Sequence, residues 1–151
     1  MRFFLASALL VATGTRAQTP PPATAWNPDL TAALAQAKAS QRPVLAVFSG
    51  SDWCKPCIML KQEVFDQPEF AQYAQDKFVL ARFDCSHNRE NQLPPAQTKL
   101  SEQAAAQLNK EGTFPLVLLL LPEGKVLAKS GYCPGGPAAY NAYLSQLLTA
   151  R

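Results

Sequence analysis

Trp53-Cys54-Lys55-Pro56-Cys57 places two thiols two residues apart, between an apolar run and an amphipathic stretch. Upstream, Arg42-Pro43 launches Val44-Leu45-Ala46-Val47-Phe48, a continuous apolar run that predicts a buried strand over 44–49. Downstream, Ile58 to Phe65 predicts an amphipathic helix. The pair therefore falls on a strand-to-helix turn. There the unpaired N–H groups and partial positive charge of the helix start favour thiolate over thiol. On this reading Cys54 is the attacking sulfur and Cys57, one turn into the helix, is the resolving one.

A chain of 151 residues with 48% hydrophobic content is one domain with one core. Its start reads as an export signal. Met1-Arg2 is positive, Phe3 to Ala12 is an apolar run too short to span a membrane, and Thr15-Arg16-Ala17 is a small-residue cleavage site. The expectation is a signal peptide over 1–17 and a periplasmic or secreted product. The competing reading is an uncleaved membrane anchor. No cysteine follows the apolar run, which argues against a lipid anchor. Removing Arg2 and Arg16 lowers the formal charge from +3 to +1, leaving 12 basic against 11 acidic residues. No Lys/Arg cluster remains to suggest a nucleic-acid surface. Residues 18–26 are a Pro-rich linker, with Thr19-Pro20-Pro21-Pro22-Ala23-Thr24 as a polyproline tether. The folded domain is 27–151.

Within that domain Asn27-Pro28-Asp29 predicts a helix start capped by Asn27, with Leu30, Ala33, Leu34 and Ala37 facing the core. A short helix is expected over 68–73 and a second strand over 78–83. The polar stretch 85–97 ends in Leu93-Pro94-Pro95, a loop signal, and a helix is expected over 98–110, ended by Gly112. Pro115 to Leu121 reads as a strand buried on both faces. Pro122-Glu123-Gly124-Lys125 turns it back into an antiparallel partner over 126–132. A last helix follows Gly135-Gly136-Pro137, with Tyr140, Tyr143, Leu144, Leu147 and Leu148 as its inward stripe. The order αβαβαββα predicts an α/β fold: a central mixed sheet of two parallel strands plus an antiparallel hairpin, flanked by helices.

That order, with the aromatic-Cys-x-x-Cys turn and with Thr113-Phe114-Pro115 opening the third strand, resembles the thioredoxin-like superfamily. Ser49-Gly50-Ser51-Asp52-Trp53-Cys54 and Gly131-Tyr132-Cys133-Pro134-Gly135-Gly136-Pro137 look like its bacterial exported branch. A bare C-x-x-C also serves zinc and haem sites, so the hairpin and the strand-opening proline carry the resemblance. The resemblance covers roughly residues 27 to 148. It implies that Pro115 is a cis proline facing the disulfide, and that Phe114 offers backbone hydrogen bonds to an extended substrate segment. An ordinary trans proline at a strand start is the plainer alternative. It also implies that Trp53 shields the disulfide from an exposed position, where the alternative is a core residue.

Two departures from the family stand out. Its best-known members carry a buried acid in the strand before the motif, and Val44 to Phe48 has none; water or Asp84 is the expected acceptor of the Cys57 proton. They also have a proline five residues after the second cysteine, where this chain has Gln62, which predicts a less kinked helix.

Disulfide exchange needs an ionised attacker backed by a second thiol. Pro56 stiffens the turn that holds the two sulfurs together. Lys55 either adds a cation that favours the Cys54 thiolate, making the disulfide more oxidising, or points into solvent and is screened. Cys85 and Cys133 make an even count of four cysteines, as a structural disulfide would. In a thioredoxin-like sheet, however, their strands lie three spacings apart, roughly 14 Å. A disulfide needs Cα atoms within about 7 Å, so pairing and separate thiols both stay open. His87, the single histidine, is either solvated surface or part of a Cu or Zn site with Cys85 and a motif cysteine.

The leading expectation is a periplasmic thiol:disulfide oxidoreductase acting on exported proteins through Cys54 and Cys57, with Trp53, Lys55, Pro56 and Pro115 supporting the site. Trp53, Phe114 and Pro115 are the expected substrate contacts. The alternative is a Cu/Zn carrier or a non-catalytic protein-binding module. Expected partners are exported proteins with thiols or disulfides and a membrane-bound redox protein. No cofactor, metal or nucleic acid is expected, and a monomer is the default at this size.

Overall fold

In the computed structural model, which describes residues 25–150, a four-stranded sheet runs in the order β2-β1-β3-β4. Its strands are β1 (Val44–Ser49), β2 (Val79–Asp84), β3 (Leu116–Leu120) and β4 (Val126–Ser130). β1 and β2 are parallel, with Val44 opposite Val79 and Ser49 opposite Asp84. β3 is antiparallel to both β1 and β4. This is the expected mixed sheet of a parallel pair plus a hairpin. The proposed signal peptide and most of the linker lie outside the described residues. Among the described residues no helix is long and apolar enough to cross a membrane.

The helices are α1 (Leu30–Ser40), α2 (Lys55–Leu60), α3 (Pro68–Ala74), α4 (Pro95–Leu108) and α5 (Gly136–Thr149). Side chains alternate across a strand, so β1 sends Val44, Ala46 and Phe48 to one face and Leu45 and Val47 to the other. The first set packs with Leu30, Ala33 and Ala37 of α1 and Ala104 of α4. The second packs with Leu60, Val64, Phe70, Tyr140 and Leu144 on the opposite side. β3 is divided in the same way, which explains why both strands read as unbroken apolar runs. β4 is one edge of the sheet, and Val126 and Lys129 are exposed there.

Several element ends differ from expectation. α1 is capped by Asp29, whose carboxylate accepts the N–H groups of Thr31 (2.8 Å) and Ala32 (3.4 Å). Asn27 is instead drawn into a bridge with Ala81 of β2, its N–H donating to the Leu80 carbonyl at 2.8 Å. β2 lies one residue later than expected, and β4 ends at Ser130. α4 begins at Pro95, because a proline in the first turn gives up no hydrogen bond, and it ends at Leu108 with Asn109 as its cap, short of the expected Lys110. α5 buries Tyr140, Asn141 and Leu144, while Tyr143, Leu147 and Leu148 are half-buried.

The helix after the motif is not regular. α2 widens into a π turn over Lys61–Phe65, which buries Val64 and Phe65 together, and the Gln62 carbonyl accepts Gln67 Nε2 at 2.7 Å. The irregularity expected to be lost with the family proline is present through another device.

Candidate active site

β1 ends at Ser49, and the chain turns through Gly50–Trp53 before Cys54 caps α2 in an extended conformation, φ −91° and ψ 96°. The Cys54 N–H donates to the Gly50 carbonyl at 3.0 Å, and the Cys54 carbonyl accepts the Ile58 N–H at 3.1 Å. Pro56 sits in the first helical turn, where its missing N–H is unneeded. This arrangement brings the Cα atoms of Cys54 and Cys57 to 5.2 Å, and the two form a disulfide. The Gly50 N–H points at Cys57 Sγ, 3.5 Å away. A hydrogen bond of that kind stabilises sulfur as it gains negative charge.

The site is more closed than the sequence suggests. Cys54, read from the sequence as the attacking sulfur, is 5% exposed and Cys57 3%. Their neighbours Trp53, Lys55 and Pro56 stay exposed. Trp53 is 42% exposed, a surface residue rather than a core one. Its indole N–H donates to the Cys85 carbonyl at 2.6 Å, its ring lies 4.6 Å from and nearly parallel to that of His87, and Phe114 meets it edge-on at 5.3 Å. Gly50 lies beneath it: a Cβ there would come within 2.4 Å of the indole.

Phe114 and Pro115 are joined by a cis peptide bond. Asn109, a buried residue that the sequence reading passed over, holds the approach to it. Its amide donates to the Thr113 carbonyl and accepts the Thr113 N–H, both at 2.9 Å. An Asn just past a helix end and a few residues before a proline is the signal that was available.

Cys57, Pro115, Ser51, Arg82 and Asp84 are among the residues that line a cavity of about 210 Å³. The Arg82 guanidinium lies 4.1 Å from the Trp26 ring, its Nη2 has no partner among the described residues, and burial lowers its pKa. Asp84 accepts the Ser51 N–H (2.9 Å) and hydroxyl (2.6 Å). Asp84 lies on β2, opposite Ser49 at the end of β1.

Asp52 was also missed as a site residue. Its carboxylate accepts Ser86 Oγ (2.6 Å) and the N–H groups of His87 (2.9 Å) and Asn88 (2.7 Å). Those bonds, the Ser86 hydroxyl foremost, hold its carboxyl far below the usual carboxylate range.

Cys85 and Cys133 are both free thiols, exposed and half-buried respectively. They follow β2 and β4, the opposite edges of the sheet. Burial, then the nearby Asp84 and Glu102, raise the Cys85 pKa. His87 is engaged with Trp53, and among the described residues no three His, Cys, Asp or Glu side chains converge as a metal site would require.

The family profile described as Thioredoxin-like matches residues 25–122. The disulfide bond reductase DsbH of Chlamydia pneumoniae is 32% identical over 119 residues, covering 79% of this chain and 70% of DsbH. The thioredoxin-related protein DsbJ of the same organism is 31% identical over 106 residues, but this chain spans only 30% of its length. A solved structure titled DsbH Oxidoreductase superposes with a TM-score of 0.74 at 32% identity, covering 89% of this chain and 92% of that one. With its cysteine pair bonded at a helix start beside a cis proline, the chain belongs to the thioredoxin-like family of thiol–disulfide oxidoreductases.

Proposed function

We propose that this oxidoreductase is exported and works as a reductase of disulfides in other exported proteins. The observation that carries the reading is the Cys54–Cys57 disulfide at the start of α2, with one sulfur at the cap and the other facing the interior cavity. The likeness to DsbH supports the reducing direction.

In the reduced protein, the Cys54 thiolate attacks a substrate disulfide, forming a Cys54 mixed disulfide and releasing one substrate thiolate. Cys57 then gives up its proton and attacks Cys54 Sγ. The second substrate thiolate leaves, and the Cys54–Cys57 bond re-forms. Two electrons pass from the protein to the substrate, and a dithiol partner, expected to be membrane-bound, restores them. Phe114 and Pro115 border the site where an extended substrate segment would lie, with main-chain bonds supplying affinity and little sequence preference. A leader over 1–17 would deliver the chain to the periplasm.

Reduction of insulin disulfides by the mature protein, with Cys54→Ser as control and metal analysis alongside, tests this reading. Turnover that is lost in the variant is the expected result. Stoichiometric metal without turnover would overturn it in favour of a carrier.

A further inference from the structure

Disulfide exchange by itself makes no use of Asp52, the Ser86–Asn88 turn or the His87 ring, yet they are built around Trp53, the residue next to Cys54. Asp52 stands two residues before Cys54, and all three of its donors belong to the loop leaving β2. A side chain of the cysteine turn thereby fastens that loop against it. The consequence is geometric: the His87 ring lies at 9° to the Trp53 ring with centroids 4.6 Å apart, and the indole N–H is tied to the Cys85 carbonyl. Phe114, the residue before cis Pro115, also meets Trp53, with ring centroids 5.3 Å apart at 72°. An exposed imidazole on a free loop would not hold a parallel stack; anchored at the His87 and Asn88 N–H groups, it is held in place. Among the described residues Trp53 and Val126 are the large apolar side chains left exposed, and only Trp53 adjoins the disulfide.

We infer that Asp52 and His87 set substrate specificity. The turn locked by Asp52 is one wall of the substrate groove, facing Phe114–Pro115, and Trp53 with His87 forms a shelf for an aromatic or long apolar side chain beside the substrate cysteine. The inference rests on the exchange reading above. A substrate sulfur bonded to Cys54 carries its neighbouring residues only one Cα step, about 3.8 Å, away along the chain. Those neighbours must therefore lie over the residues that border Cys54. An exposed indole edge flanked by two further rings gains most from covering by another ring or an alkyl chain. Asp52 acts through the turn and is a positioning residue; His87 is the contact.

The test compares reduction of two otherwise identical cystine peptides, one with Phe and one with Ser next to the reacting cysteine, together with hydroxyethyl disulfide, which is too small to reach the shelf. Mature wild-type protein, Asp52→Ala, His87→Ala and the double variant are measured, with Asp52→Asn as the conservative substitution. Wild type is expected to favour the Phe peptide by about five- to tenfold in kcat/KM, the size of one aromatic contact. Each single variant loses most of that preference through KM, the double variant loses no more than either, and Asp52→Asn retains part of it. Any change in hydroxyethyl disulfide turnover is smaller than the loss toward the Phe peptide. No Phe preference in wild type, an unchanged preference in both single variants, or equal losses toward hydroxyethyl disulfide would overturn the inference. Absence of turnover with all three disulfides would overturn the exchange reading itself.

Discussion

Asp84 stands opposite Ser49 across the parallel pair of β1 and β2, and its carboxylate holds both the N–H and the hydroxyl of Ser51 while lining the cavity that Cys57 faces. Cys57 has to lose a proton before it can attack the mixed disulfide, and Asp84 is the carboxylate that shares with it a largely apolar cavity of about 210 Å³. Asp84→Asn is expected to slow resolution of the mixed disulfide by about 10²-fold near neutral pH, recovering as hydroxide rises. Single-turnover rates across pH measure this, and an unchanged profile rules Asp84 out.

Gly50→Ala is expected to lower stability by about 1–3 kcal/mol, the usual cost of forcing a methyl group into occupied space. The obstructing indole is rigid and held by the Cys85 carbonyl and the His87 stack, so it has little room to yield. Denaturant unfolding checks this. A variant as stable as wild type would show that the indole is freely displaced.

Lys55 is exposed and makes no ion pair among the described residues. Its charge then acts on Cys54 only through solvent. Lys55→Gly is expected to make the disulfide more reducing by no more than about 30 mV, equivalent to about 1.4 kcal/mol, with the shift fading in high salt. A potential unchanged at low salt would leave Lys55 without an electrostatic role.

The loop clamp has a pH signature. The Asp52 carboxyl is held below its ordinary range in the folded protein, so its ionised form favours the fold at neutral pH. That contribution is complete above the unfolded carboxylate pKa of about 4 and is lost as pH falls toward the lower folded value. Asp52→Asn is therefore expected to be less stable than wild type near neutrality, with the gap narrowing in acid below about pH 4. A gap that stays constant with pH would contradict the clamp.

Free thiols give a count. Without reductant, unfolded protein is expected to show two reactive thiols, Cys85 and Cys133, and four after reduction. In the folded protein Cys85 should alkylate slowly until the pH is well above neutral, because burial and its acidic neighbours disfavour the thiolate.

Much of this was legible from residues alone. β1 and β3 announced themselves because both of their faces are covered, leaving no polar position to break the run. The cysteine pair was legible because its spacing suits one helical turn. Contacts made across the chain were not. Asp52 reaches a loop more than thirty residues away, and nothing local distinguishes such an Asp from a solvated one. Asn27 satisfied the local rules for a cap, yet pairing with β2 claimed it and left the role to Asp29. The near-complete burial of Cys54 likewise arises only in the folded chain, and no sequence pattern records it.

The most direct test is to trap the exchange intermediate. Cys57→Ser protein, reduced and mixed with a disulfide-bonded substrate, is expected to accumulate a covalent complex through Cys54 that dithiothreitol releases and that Cys54→Ser protein never forms. A complex held through Cys85 or Cys133, or none at all while wild type still reduces the substrate, would contradict Cys54 as the attacking sulfur.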